Sequence, residues 1–276
     1  MGASKRTSAV NLPGYAQQGS IFFLLEISLG WLSGQKQQTV NLPGYALQRF
    51  ESFPQHHFIV SALKITILSD AGSWKNAALR EFAARLRRRG HRVAHFHDEK
   101  KVGRGDILFI LGFFKIVPPA KIAGHRISVV VHESRLPKGR GWSPVTWLVW
   151  KGARSIPLTL FEAVQKVDAG RIFLRGDVPL NGSELLDEIH AKVAPAIVRL
   201  CERFVARYPG ILKRGIPQTG KPTYYRRLAP PDSRLDPDQP IASQFNRLRC
   251  VDNKDYPAFF SYKGKRYSLK IEKMEK

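Results

Sequence analysis

Residues Val129–Gly170 read VVVHESRLPKGRGWSPVTWLVWKGARSIPLTLFEAVQKVDAG. An apolar run from Ser128 to Val131, three valines in succession, leads directly into His132. A Pro/Gly-rich loop follows, then a short apolar segment, then Asp168-Ala169-Gly170. Open α/β sheets build their sites at the carboxyl ends of buried strands, and a strand that ends on histidine fits that plan. The Asp168 carboxylate, 36 positions beyond His132 (168 − 132), is the expected partner of the imidazole.

Working outward, the same pattern recurs. Lys64–Ser69, Arg92–Phe96, Asp106–Gly112 and Arg126–His132 are short apolar runs bounded by turn residues, which predicts buried strands. Between the first two, Trp74–Arg89 places Leu79, Phe82, Ala83 and Leu86 at helical spacing, with Ser73 as the expected N-cap and Gly90 as the stop. Pro157–Val164 and Ile172–Val178 read as two further strands. Ser183 is the expected cap of a long helix burying Leu186, Ile189, Val193, Ile197, Leu200 and Phe204, and Pro195 should kink it. Lys213–Pro240 is Pro-, Gly- and charge-rich and reads mostly as loop. Ile241–Cys250 reads as helix, and Phe259–Tyr262 with Tyr267–Ile271 as a hairpin around Lys263-Gly264. The expected fold is α/β: an open, mostly parallel, Rossmann-like sheet with helices on both faces, plus a small C-terminal α+β extension. The boundaries are a domain over 58–210 and an extension over 211–276.

Residues 1–57 differ. VNLPGYAQQ (Val10–Gln18) recurs as VNLPGYALQ (Val40–Gln48), and two copies are too few to stack into a solenoid. This stretch is read as an appended, disordered leader. Ile21–Leu32 is shorter than the roughly 18 apolar residues of a membrane span and contains Glu26, so it predicts neither a span nor an export signal.

The 276 residues are 43% hydrophobic, enough for a proper core, and carry a formal charge of +23, which suggests an anionic partner. Two cysteines, Cys201 and Cys250, make neither a disulfide framework nor a metal site, and a reducing cytoplasm is the expected location. The first turn, DAGSW, lacks both dinucleotide and phosphate-loop fingerprints. It still places the Gly72 and Ser73 N–H groups at an expected helix start, a modest anion site. His91, His95 and His97 cluster on one strand, with His95 and His97 on one side, but no acidic or sulfur ligand at matching spacing joins them, and no metal is expected. Trp142 and Trp147 offer flat faces beside the loop, and Tyr224-Tyr225-Arg226-Arg227 mixes aromatics with cations as a nucleotide grip would.

Four motifs in order carry a family resemblance. His132-x-Ser134-x-Leu136-Pro137, Arg140-Gly141-x-x-Pro144 and Val167-Asp168-x-Gly170 follow an upstream Gly112-Phe113-Phe114-Lys115-Ile116-Val117-Pro118. Together they resemble the formyltransferases that use 10-formyltetrahydrofolate, over roughly 64–271. The distal Tyr225-Arg226-Arg227, Pro231-Asp232 and Gln244-Phe245-Asn246 are similar to the tail of members acting on amino-sugar nucleotides. The resemblance implies that an acceptor amine attacks the formyl carbon and that the resulting oxyanion is stabilised. It implies His132 and Asp168 as catalytic residues, and Phe114, Lys115, Val117, Val164 and Gln165 as the folate site. Gly72, Ser73, Arg140 and Arg226 are the expected acceptor contacts.

The implied function is N-formylation of a nucleotide-linked amino sugar for surface polysaccharide, with methionyl-tRNA as the alternative acceptor and a catalytically impaired homologue as the third reading. The expected partner is therefore a small molecule, tRNA ranks second, and a homodimer stays open. One departure stands out. The family carries Asn two residues before the histidine, whereas this chain has Val130.

Overall fold

A computed structural model describes residues 62–274. The repeated leader and the expected domain start at Phe58 lie outside the described residues. In chain order the first elements are β1 (Lys64–Leu68), α1 (Asn76–Arg88), β2 (Arg92–Phe96), β3 (Gly105–Ile110), α2 (Pro119–Ala123) and β4 (His125–His132). Next come β5 (Arg140–Gly141), α3 (Pro144–Trp150), β6 (Ser155–Glu162), β7 (Ile172–Pro179) and α4 (Leu186–Ala206). The extension holds β8 (Tyr224–Tyr225), α5 (Ile241–Leu248), β9 (Ala258–Tyr262) and β10 (Lys265–Leu269).

The main sheet runs β2-β1-β3-β4-β6-β7. Its first four members pair in parallel. β6 is antiparallel to both β4 and β7, so it alone in this sheet runs against the rest. The reversal has a simple cause. A parallel neighbour needs a crossover back to the amino edge. β4 is eight residues long, about 26 Å at strand rise. The seven-residue α3 supplies roughly 10 Å, so the chain re-enters from the edge it left.

One face packs Ile65, Ile67, Ile107, Phe109, Val129 and Val131 into a continuous core beneath α1 and α4. Phe109 lies at its centre, edge-on to Phe82 at 5.6 Å and to Phe204 at 6.1 Å. The other face is thinly covered. Leu68, Leu108 and Ile110 meet Val102, Val117 and Ile122, the last from α2.

Helix boundaries depart from expectation at both N-caps. α1 starts at Asn76, not beside Ser73, because the chain first makes a tight turn that Asn76 braces. Its Nδ2 donates to the carbonyls of Asp70 (3.0 Å) and Ala71 (2.8 Å). The expected stop does form, with Gly90 at φ +87° and the His91 N–H returning to Leu86 O. α4 starts at Leu186, where the Glu188 carboxylate accepts the Leu185 N–H at 2.7 Å, while Ser183 bonds Asn181 instead. Leu186 is only half-buried, and helix continues through Pro195. The expected loop 213–240 contains β8, which pairs in parallel with β5. The hairpin turns at Lys263 (φ +47°) and Gly264 (φ +75°), the left-handed pair that a two-residue turn requires.

Candidate active site

The chain passes from β1 to β2 on one side and then to β3 on the other, so strand order reverses between β1 and β3. Ligand crevices of open α/β sheets form at the carboxyl edge of such a point. Here the loops are stitched across it: Asp70 N donates to Gly112 O (3.0 Å), and Phe114 N to Asp70 Oδ2 (2.7 Å). Gly112 has φ +71°, and a Cβ there would stand 2.7 Å from Ser73 Oγ and 3.2 Å from the Lys75 side chain.

His132 ends β4 beside this crevice and is 7% exposed. Its Nε2 lies 2.8 Å from Gly139 O. A carbonyl only accepts, so Nε2 carries a proton, and whenever the ring is neutral its lone pair lies on Nδ1. Asp168 does not bond the imidazole, contrary to the expected direct pair. Its Oδ2 accepts the Gly141 N–H at 3.0 Å. The two side chains instead converge on one short segment, Gly139–Gly141, from opposite ends. That segment and the turn after Asp168 are both close-packed: a Cβ on Gly141 would fall 2.4 Å from Tyr225 O, and one on Gly170 1.9 Å from Glu162 O. These distances explain both motif glycines.

A charge pair lies beside the imidazole. Lys75 Nζ is 2.6 Å from Glu133 Oε1, and both side chains are nearly buried. Burial pushes the Glu133 carboxyl up, but Lys75, and then His132, outweigh it and hold it below the ordinary carboxylate range. Lys75 also sits over Trp74, which stacks on His190 at 4.0 Å. Burial, reinforced by Lys75, lowers His190 to about 4.

Two loops rise from the thinly covered face, 113–117 and 163–168. Phe113, Val117, Ala163 and Val130 pack in one apolar cluster at their roots. Beyond them Phe114, Ile116 and Val167 are 64%, 82% and 64% exposed. Lys115, Val164 and Gln165 are also exposed. The floor is apolar, and the loops above it carry exposed apolar side chains interleaved with Lys115 and Gln165. Val117 is buried within this floor. Val130 meets Leu136, Phe161 and Ile172 as well, so the position of the family Asn is an apolar seat.

The expected acceptor contacts fare unevenly. Ser73 spends its N–H on Asp70 O, and the helix begins three residues later, so no helix-terminal anion site forms there. Gly72 stays open, with no atom within 4 Å of where its Cβ would stand. Arg140 points inward, 6% exposed, and donates to Gln218 Oε1 at 2.6 Å. Arg226 is exposed but already paired with Asp232 (2.7 Å), whose carboxyl that bond lowers to about 2.

Around the mouth, cations cover aromatic faces. Arg227 lies over Trp142, Arg226 over Trp147, and Lys151 over Tyr225, at 5.2, 5.3 and 4.6 Å. Trp142 also stacks with Phe114, and Trp147 with Tyr225.

Two other features lie apart from this chemistry. His95 Nε2 and His97 Nδ1 converge on Ser69, and burial, then His97, lowers His95 to about 4. Among the described residues no group of three His, Cys, Asp or Glu side chains is placed to hold a metal. A cavity of about 420 Å³ lined by Val102, Arg104, Ala120 and Lys121 opens at the amino ends of β3 and β4, the wrong edge for His132. No described helix is long and apolar enough to cross a membrane.

The Lys75–Glu133 pair escaped sequence reasoning. Glu133 had a signal, being next to His132; Lys75 lies at the start of α1, where nothing in the sequence ties it to β4.

Comparison with known proteins adds to this geometry. The family model described as "Formyl transferase" matches residues 60–201. Methionyl-tRNA formyltransferase of Geobacillus thermodenitrificans (strain NG80-2) is 27% identical over 150 residues, 52% of this chain and 46% of its own. The chain thus spans about half the length of the curated relatives it matches. HypX from Aquifex aeolicus, solved in complex with tetrahydrofolic acid, superposes with a TM-score of 0.61 at 18% identity, over 76% of this chain and 38% of that one. A 4-N formyltransferase from Francisella tularensis superposes at 0.57 and 18%, over 77% of this chain and 99% of that one.

Proposed function

The chain belongs to the formyl transferase family, and from that premise we propose that it moves a formyl group from 10-formyltetrahydrofolate to the amine of a nucleotide-linked amino sugar, in surface polysaccharide synthesis. The donor supplies an activated one-carbon unit; the chain supplies orientation and proton handling. Nδ1 of His132 takes the proton that the amine gives up and returns it to the donor nitrogen as the bond from that nitrogen to the formyl carbon breaks, while Gly139 O fixes the ring through Nε2. Asp168 shapes the Gly139–Gly141 segment and brings negative charge to it. Val130 offers no side-chain donor to the developing oxygen charge, so a backbone N–H serves there. Loss of one such donor typically slows a reaction about 10²–10³-fold, and a slow enzyme is expected.

The observation that carries the acceptor assignment is the set of cation-covered aromatic faces beside the site, Trp142 under Arg227 foremost. An arriving diphosphate draws the cations off these rings, and a base takes the face that they leave. Methionyl-tRNA is the second reading, favoured by the Geobacillus relative and by a charge of +21 over residues 61–276 (41 Lys+Arg less 20 Asp+Glu).

The test is mass-spectrometric detection of formamide after incubating the full chain with 10-formyltetrahydrofolate and a panel of amino-sugar nucleotides. Product is expected, and His132→Ala should cut kcat about 10²–10⁴-fold. Formylation of methionyl-tRNA alone, with binding that weakens steeply with salt, would transfer the assignment to tRNA. No product with either acceptor sinks both.

A further inference from the structure

We infer that Gln218 and Thr223, from the C-terminal extension, are positioning residues for the His132–Asp168 pair, so that the extension completes the site. This rests on the formyl-transfer reading for its kinetic consequence, though not for its geometry. Gln218 Nε2 donates to Asp168 O and to Gly170 O, both at 2.9 Å. Its Oε1 accepts from Arg140 Nη2 at 2.6 Å. One amide side chain thus holds the two carbonyls that flank Ala169 and ties them to the segment that carries the other half of the site. Asp168 has φ +53°, a left-handed conformation that a non-glycine residue keeps only where its surroundings over-determine it. Gln218 supplies that constraint from fifty residues away.

Thr223 does the same for the histidine side. Its Oγ1 accepts the Gly139 N–H at 2.8 Å, and its carbonyl accepts the Arg140 N–H at 2.9 Å. Trp142 N then bonds Tyr225 O at 3.1 Å, continuing the β5–β8 pair. The Gly139 peptide is therefore gripped at both ends: Thr223 takes its N–H, and its carbonyl sets the tautomer of His132. A Cβ on Gly139 would lie 2.8 Å from the Tyr225 ring, so the extension approaches at a distance only glycine allows. Neither Gln218 nor Thr223 bonds the imidazole itself. Their action runs through backbone placement, and misplacement of about 1 Å can cost roughly 10²-fold in rate.

The experiment compares Gln218→Ala, Thr223→Val and Thr223→Ser with the natural full chain. Three readouts are taken: hydrogen exchange of peptides spanning 136–142 and 163–171, NMR titration of the His132 imidazole, and formyl-transfer kinetics. Gln218→Ala should speed exchange in 163–171 and lower kcat about 10- to 100-fold, with the acceptor KM little changed. Thr223→Val should speed exchange in 136–142 and move the His132 titration, and Thr223→Ser should restore both. Unchanged exchange together with kcat within twofold of the natural chain in Gln218→Ala and Thr223→Val would overturn the inference. A natural chain that transfers no formyl group removes the proposed function alone, because exchange and titration still decide the positioning. If Gln218→Ala fails to fold, the Val/Ser pair at Thr223 decides it.

Discussion

On one face of the sheet Ile65, Ile67, Ile107, Phe109, Val129 and Val131 pack beneath α1 and α4 without a polar interruption. On the other, Leu68, Leu108 and Ile110 are covered by α2 and loops, and the face turns polar at Ser128 and His132. The strands are the same; only the cover differs. Where long helices close the sheet, each side chain serves packing. Where cover is thin, the strand ends can present groups to a ligand. β4 shows both in adjacent residues, with Val129 and Val131 in the core and His132 at the crevice.

The contrast can be broken by substitution. Phe109→Ala on the covered face should cost about 3–5 kcal/mol, because it empties the centre of an aromatic chain joining α1, β3 and α4. Urea unfolding measures it; a loss below about 1 kcal/mol would mean the two faces are not so unequal. Val130→Asn on the open face should cost less, about 1–3 kcal/mol, since Leu136, Phe161 and Ile172 offer the amide no partner. Full stability combined with faster formyl transfer would instead mark Val130 as the remnant of a polar position.

Acid should also weaken the fold. His95 and His190 are both held near 4, so between pH 6.5 and 4 the unfolded chain binds their protons and the folded chain does not. Their contribution is complete above 6.5 and declines as pH falls towards 4. Calorimetry should show the Tm dropping as pH falls through that window, and His190→Gln should lessen the drop.

The strands of the parallel half were legible because continuous apolar runs between turn residues have few alternatives. Lys64–Ser69 and Arg92–Phe96 were located to within one residue. α3 was missed because Pro144–Trp150 is apolar nearly all round and too short to show a period. Both N-caps were misplaced for one reason: a nearby side chain, Asn76 or Glu188, secured the backbone that Ser73 and Ser183 were expected to secure. His132 and Asp168 were brought to one segment, but their mutual bond was not, since backbone groups of Gly139 and Gly141 compete for both.

By itself the sequence determined the α/β class, the strand that delivers His132 and the glycines its loops need, because apolar periodicity and backbone sterics are local. Tertiary structure alone decided that Arg140 faces inward and that Gln218 holds the Asp168 turn. Those outcomes depend on which distant groups meet, and hydrogen bonds between segments fifty or more residues apart leave no periodic trace in the chain.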